Sequence, residues 1–327
     1  MEKDKYILEM QVARGAGILL VTVGHSEPIK DVFPLLYSII YAFHMPFFFF
    51  LSGFFASKMA KIDSILEWRK EVWPRLVPLL IPYFVISLSY AFIKSLVPQL
   101  VKRPIVFHKL LFTITVFPLE NPALFMWFLY IIIIMRAFAP LLTRVNRYLL
   151  FAALVAIQVF PLSTDLFALA WTLNYLVYYC LGLYISSLKE RFLMVMRTPM
   201  LPPLSAAFFI AGYILTTVSG LPFLKFLTAL FGITGILSIC FCYVRYMPVR
   251  ILETFGKYSL QIYLLQYYFI FPVEYLLQKT GLGSQLTVLG TFLVGLAGPL
   301  AVASWVFPGS RILALLFGGT DSTRRAR

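Results

Sequence analysis

Residues 13–25 read ARGAGILLVTVGH. An arginine and a histidine bracket ten residues that are almost wholly apolar or small. Read as a helix, the eleven steps from Arg14 to His25 turn through roughly 1100°, about 20° past three full turns, so both side chains lie on nearly one face. At about 1.5 Å per residue they stand roughly 16 Å apart along the axis, about half of a bilayer's hydrocarbon core. Ionisable residues inside a membrane helix are costly and by default mark a functional site. The plainer reading is that Arg14 snorkels to the headgroups and His25 sits at the interface. The spacing alone leaves both open.

The surrounding composition decides the class. The chain has 327 residues, 61% hydrophobic and 13% charged, with a mean hydropathy of +0.86. A soluble fold of this size cannot cover that much apolar surface. The expectation is an all-α, polytopic integral membrane protein with the lipid bilayer as its surroundings. The net charge of +14 would raise nucleic acid as a partner in a soluble chain. Here the basic residues flank apolar runs and no nucleic-acid module is visible, so the charge reads as topology and headgroup attraction. Cys180, Cys240 and Cys242 all lie in apolar runs. The last two point roughly 200° apart on a helix, so neither a shared metal nor a disulfide is expected between them.

Ten spans are expected, at about 6–25, 33–57, 77–97, 124–142, 148–164, 168–187, 202–219, 224–246, 258–278 and 286–307. The first is read as a retained span and not a signal peptide, because no small-residue cleavage site follows a short apolar core. With the N-terminus inside, nineteen Lys and Arg fall in inner segments, six in outer loops, and Arg14, Lys94 and Arg136 within spans. That asymmetry favours both termini in the cytoplasm. It turns Arg14 toward the cytoplasm and His25 toward the outer side. The inner segment 58–76 carries Ile62, Ile65 and Leu66 among charges and reads as an amphipathic surface helix. The outer loop 98–123 carries His108, Glu120 and Asn121. One transmembrane domain over 1–318 is expected, followed by a basic disordered tail at 319–327.

The chemistry available is narrow. No GxSxG elbow, HExxH zinc helix or Walker loop occurs. Carboxylates are scarce in the spans, so metal sites and paired-carboxylate mechanisms are poorly supplied. A histidine base is the best-supported option. The second span, YAFHMPFFFFLSGFFASK, holds His44 two residues before Pro46. A proline there frees a carbonyl one turn back and can kink the helix. His44 is therefore either a hydrogen-bonded residue at a kink or a second catalytic candidate. Glu27 could orient His25 or be a solvated loop carboxylate. Trp127 could anchor at the interface or line an acceptor path. Arg75 could be a basic flank or an anion-holding residue.

RGAGILLVTVGH followed by FHMPFFFFLSGFF resembles the acyltransferase-3 family of integral membrane acyltransferases, in particular its fucose 4-O-acetylase-like branch. The arginine, ten residues and histidine of that family fall on Arg14 and His25. RLVPLLIPYF (75–84), MWFLYIIIIMRAFAPLL with Trp127 and Phe128, YYCLGLYIS around Gly182, and FGKYSLQIYLLQ (255–266) extend the resemblance in order along the chain. It implies ten core helices and transfer of an acyl group, usually acetyl, from coenzyme A to a hydroxyl of a sugar or cell-envelope glycan, in a bacterial inner membrane. It makes His25 the catalytic residue, and Arg14 and Arg75 candidates for holding the anionic part of acetyl-coenzyme A, a substrate and not a resident cofactor. A phosphate-bearing donor suits arginine. Its pantetheine arm is comparable in length to the axial gap between Arg14 and His25. The acceptor would enter from the outer side past His108, Glu120 and Trp127.

Two positions depart from the family. Gln11 stands where an aspartate is frequent, and Gln266 where the ninth-span motif often ends in histidine. The alternative from another class is a non-enzymatic carrier or flippase for an envelope precursor, with Arg14 and His25 lining its path.

Overall fold

The stretch 13–25 lies within one unbroken helix, α1 (Leu8–His25). It contains no proline and ends where Pro28 follows two residues beyond Ser26. Ser26 closes it: its Oγ donates to the Thr22 carbonyl at 2.6 Å and its N–H to that of Val23 at 3.1 Å. The computed structural model describes residues 7–56, 62, 64–98, 105–281 and 283–318. The expected 319–327 tail lies outside the described residues.

The chain continues through α2 (Ile29–Val32), α3 (Pro34–Tyr41) and α4 (His44–Phe55). Then come α5 (Ile65–Glu71), α6 (Trp73–Leu96), α7 (Leu110–Thr115) and α8 (Trp127–Leu142). After these run α9 (Arg147–Val159), α10 (Leu169–Ile185), α11 (Lys189–Met196) and α12 (Leu201–Ser219). The last five are α13 (Pro222–Tyr243), α14 (Val249–Lys257), α15 (Ser259–Lys279), α16 (Ser284–Ala301) and α17 (Arg311–Leu316). No strand occurs among the described residues. The class is all-α and polytopic.

Local chemistry sets several boundaries. Ser64 caps α5 by accepting from the Glu67 N–H at 3.1 Å, in the register of a capping box. Asn146 Oδ1 caps α9, accepting from Tyr148 N–H at 3.0 Å. Proline opens α3 and α13, where a missing N–H costs nothing. Gly220, with φ of 67°, ends α12 in the left-handed conformation that glycine adopts without strain.

Seven helical segments among the described residues are long and apolar enough to cross a membrane: Pro34–Phe55, Trp73–Leu96, Leu124–Leu142, Leu166–Met196, Leu201–Ser219, Pro222–Tyr246 and Ser284–Gly309. The other three expected spans fall on α1, α9 and α15. α1 and α15 carry more polar residues. The thirteen residues of α9 extend about 20 Å, short of a roughly 30 Å core. Within the expected surface segment 58–76, residues 58–61 and 63 lie outside the described residues; Ile62 is buried, and Ile65 and Leu66, exposed, open α5 after the Ser64 cap. Part of the expected outer loop is helical, because the apolar run Leu110–Thr115 forms α7.

The helices gather into two compact units. The first comprises Met1–Leu51 and Ser187–Val306, the second Ser52–Ser186 and Phe307–Arg327. In the first, α1 packs against α13, α14, α15 and α16. Its contact with α14 depends on small residues. A Cβ at Gly15 would collide with the Leu252 carbonyl, and one at Gly256 with the Gln11 carbonyl. In the second, α6 and α10 pack on α8. One buried polar cluster there is paired: Tyr83 donates to the Ile114 carbonyl at 2.6 Å, and the Asn121 amide donates to Ser87 at 2.8 Å and to Tyr83 at 3.1 Å.

Candidate active site

His25 is the last residue of α1 and is half-buried. Its imidazole stacks on Tyr267 with ring centroids 5.0 Å apart and planes at 28°. Tyr267 in turn stacks on Phe271 at 4.9 Å. An aromatic wall supplied by α15 thus fixes one face of the ring. One edge is fixed as well: the Gln266 amide Nε2 donates to Nδ1 of His25 at 3.0 Å and to the Tyr263 carbonyl at 3.3 Å. Gln266 is fully buried, and its Oε1 has no hydrogen-bond partner.

That orphaned oxygen matters chemically. An Nδ1 that accepts from Gln266 leaves the ring proton on Nε2, where it can only be donated. When the ring takes up a proton, Nδ1 becomes a donor and needs an acceptor. Rotating the Gln266 amide brings Oε1 to that place. An amide can serve both protonation states of the ring, because it carries a donor and an acceptor on one plane.

His44 belongs to the same unit. The second span is broken: α3 ends at Tyr41 and α4 starts at His44, with Ala42 and Phe43 in the turn. Pro46 is the third residue of α4, so its missing N–H falls among first-turn donors that no helix would satisfy. The His44 Nδ1–H donates to the Ile40 carbonyl at 2.9 Å, capping the last turn of α3. His44 is buried and meets Tyr41 edge-on at 4.6 Å between ring centroids. With its proton on Nδ1, Nε2 of His44 is an acceptor. His25 and His44 lie within electrostatic reach of one another.

Arg14 sits eleven residues before His25 on the same unbroken helix, half-buried, so the roughly 16 Å axial separation applies to the folded chain. Glu27 is exposed just past α1. Its backbone carbonyl accepts from Thr291 at 3.0 Å, and its carboxylate acts electrostatically on Tyr41. The residue bonded to Nδ1 of His25 is Gln266, the position read from sequence only as a departure from a family pattern. A glutamine inside an otherwise apolar span was the signal available for it.

A family model described as an acyltransferase domain matches residues 7–307. The chain belongs to the acyltransferase-3 family. This acyltransferase has no match among curated proteins and none among solved structures. The family assignment sets the carrier alternative aside in favour of an acyltransferase.

The remaining residues of interest belong to the second unit of this acyltransferase. Arg75, the third residue of α6, is bonded to Glu71 at 3.2 Å. Trp127 opens α8 and is partly exposed. It meets Trp171 edge-on at 4.7 Å and stacks on Tyr175 at 5.6 Å, an aromatic cluster of the kind that anchors at membrane interfaces. His108 and Glu120 are exposed.

Proposed function

We propose that this membrane acyltransferase moves an acyl group, acetyl in the simplest case, from acyl-coenzyme A to a hydroxyl of a sugar or cell-envelope glycan, as in the fucose 4-O-acetylase-like branch. The proposed setting is the bacterial inner membrane with both termini in the cytoplasm, supported by the asymmetry of Lys and Arg along the chain. The observation that carries the reading is His25, held on its ring face by Tyr267 and at Nδ1 by Gln266, on the same helix as Arg14.

In this mechanism the Gln266 oxygen accepts from Nδ1–H of His25, which leaves Nε2 free as the general base. Nε2 takes the proton of the acceptor hydroxyl as its oxygen attacks the thioester carbonyl. The C–S bond breaks, and the leaving thiolate takes the proton back from His25 as free coenzyme A. Arg14 and Arg75 hold phosphates of the donor. Trp127 and Glu27 contribute to the acceptor path. His44, through its acceptor Nε2, is a second group able to carry a proton.

The test is His25→Gln in purified, monodisperse protein given acetyl-coenzyme A and envelope glycan. The amide keeps hydrogen bonding and cannot take the proton. A positioned base contributes about 10²–10⁴-fold, so coenzyme A release is expected to fall at least a hundredfold. Release near the wild-type rate would end the base assignment.

A further inference from the structure

The second unit holds a cluster of which the proposed mechanism uses only Arg75. Arg136 lies in α8, six residues before its end, and its Nε donates to Ser52 Oγ at 3.3 Å. The groups acting on it electrostatically are Tyr179 and a second cation, Arg75. Tyr179, in α10, is fully buried and its hydroxyl has no hydrogen-bond partner. Arg75 uses Nη2 on Glu71, while its Nη1 is buried without a partner. The packing here is tight: a Cβ at Gly53 would collide with the backbone carbonyl of Tyr179, so α4 is pressed on α10 beside Ser52.

Two half-buried guanidiniums and a fully buried phenol thus stand together, with the Tyr179 hydroxyl and Arg75 Nη1 as the unsatisfied donors. Like charges brought together at such positions repel unless an anion joins them. Arg75 lies in the first turn of α6, just after Arg69 and Lys70, and Arg136 within about two turns of the end of α8, just ahead of Arg144 and Arg147. An anion approaching from that face meets a positive field before it reaches the cluster. The available donors are planar guanidinium N–H groups and one O–H, the set that matches the oxygens of a phosphate or phosphodiester.

We propose that Arg136, Arg75 and Tyr179 form a binding site for a phosphate-bearing anion, entered from the basic end of the second unit. The phosphates of coenzyme A are the source that follows if the donor is acyl-coenzyme A, and in that choice alone this rests on the proposed function. The phosphodiester of an anionic lipid offers the same chemistry.

The experiment uses the full-length protein in detergent. Calorimetric titration with inorganic pyrophosphate and with coenzyme A is paired with native mass spectrometry of phosphatidylglycerol retention. Arg136→Gln is expected to weaken binding of the anion at least tenfold. Tyr179→Phe should weaken it severalfold, and Arg136→Lys, which keeps charge and loses the fork, should fall between. Arg136-dependent binding of pyrophosphate and coenzyme A supports the site with the donor as its source. Arg136-dependent retention of phosphatidylglycerol alone supports the site with lipid as its source. Binding of all three probes unchanged in folded Arg136→Lys and Tyr179→Phe overturns it, as does absence of any binding by the wild type. His25→Gln, titrated in parallel, is expected to bind the anion like the wild type, so loss of the base assignment and loss of this site are read separately.

Discussion

Replacing Gln266 by leucine removes the one hydrogen bond to the ring of His25 seen among the described residues while filling most of the same volume. The bond to Nδ1 is 3.0 Å long and comes from a fully buried side chain. In the ground state the ring is neutral, and a hydrogen bond to it is worth about 0.5–1.5 kcal/mol net. In the transition state the ring is acquiring a proton, and a bond to a charged group is worth about 1.5–3 kcal/mol. The difference, about 1–1.5 kcal/mol, is what kcat loses, and it corresponds to roughly five- to tenfold in rate. The loss should appear in kcat, with the KM for acetyl-coenzyme A unchanged, because Gln266 touches the base and not the proposed donor residues. Gln266→Glu, which can still accept from Nδ1–H, should retain more of kcat than the leucine variant. The assay is coenzyme A release by purified protein supplied with envelope glycan, followed with a thiol reagent. A folded Gln266→Leu protein with kcat within twofold of wild type would refute the reasoning, since the ring would then need no partner at Nδ1.

Gly15→Ala should destabilise the first unit by about 1–3 kcal/mol, the range for overpacking, because the new methyl meets the Leu252 carbonyl across α1 and α14; a thermal melt of detergent-solubilised protein matching wild type would contradict that contact. Reporter fusions after Lys70 and after Arg325 should both report cytoplasm and one near Lys109 the outside, the arrangement that the distribution of basic residues favours. Fusions after Lys70 and Arg325 on opposite sides would break that topology.

Several features were legible in the residues because they depend only on positions near one another in the chain. Apolar content placed the protein in a bilayer, and helices followed, since a backbone in lipid must satisfy its own hydrogen bonds. The ten expected spans fall on helices for the same reason. Arg14 and His25 share a face because helix periodicity alone decides it, and α1 is unbroken between them. The turn before His44 was foreshadowed by Pro46. The six-residue helix α7 was not, because its apolar run is too short to show a period.

Other features exist only through packing. Gln266 meets His25 from 241 residues away, and nothing in the spacing of either residue specifies that encounter. It is decided by how α15 docks on α1, which depends on side-chain shapes along both helices and on the close approach of α14 to α1 at Gly15. The same holds for Arg136, which in the sequence is one more basic residue in a span and in the fold stands with Tyr179, Ser52 and Arg75. Local pattern determines which face a side chain occupies. Which groups share that face's surroundings, and therefore which proton or charge each can hold, is decided by the contacts between helices, because hydrogen bonds and Coulomb interactions act over a few ångströms of space and take no account of distance along the chain.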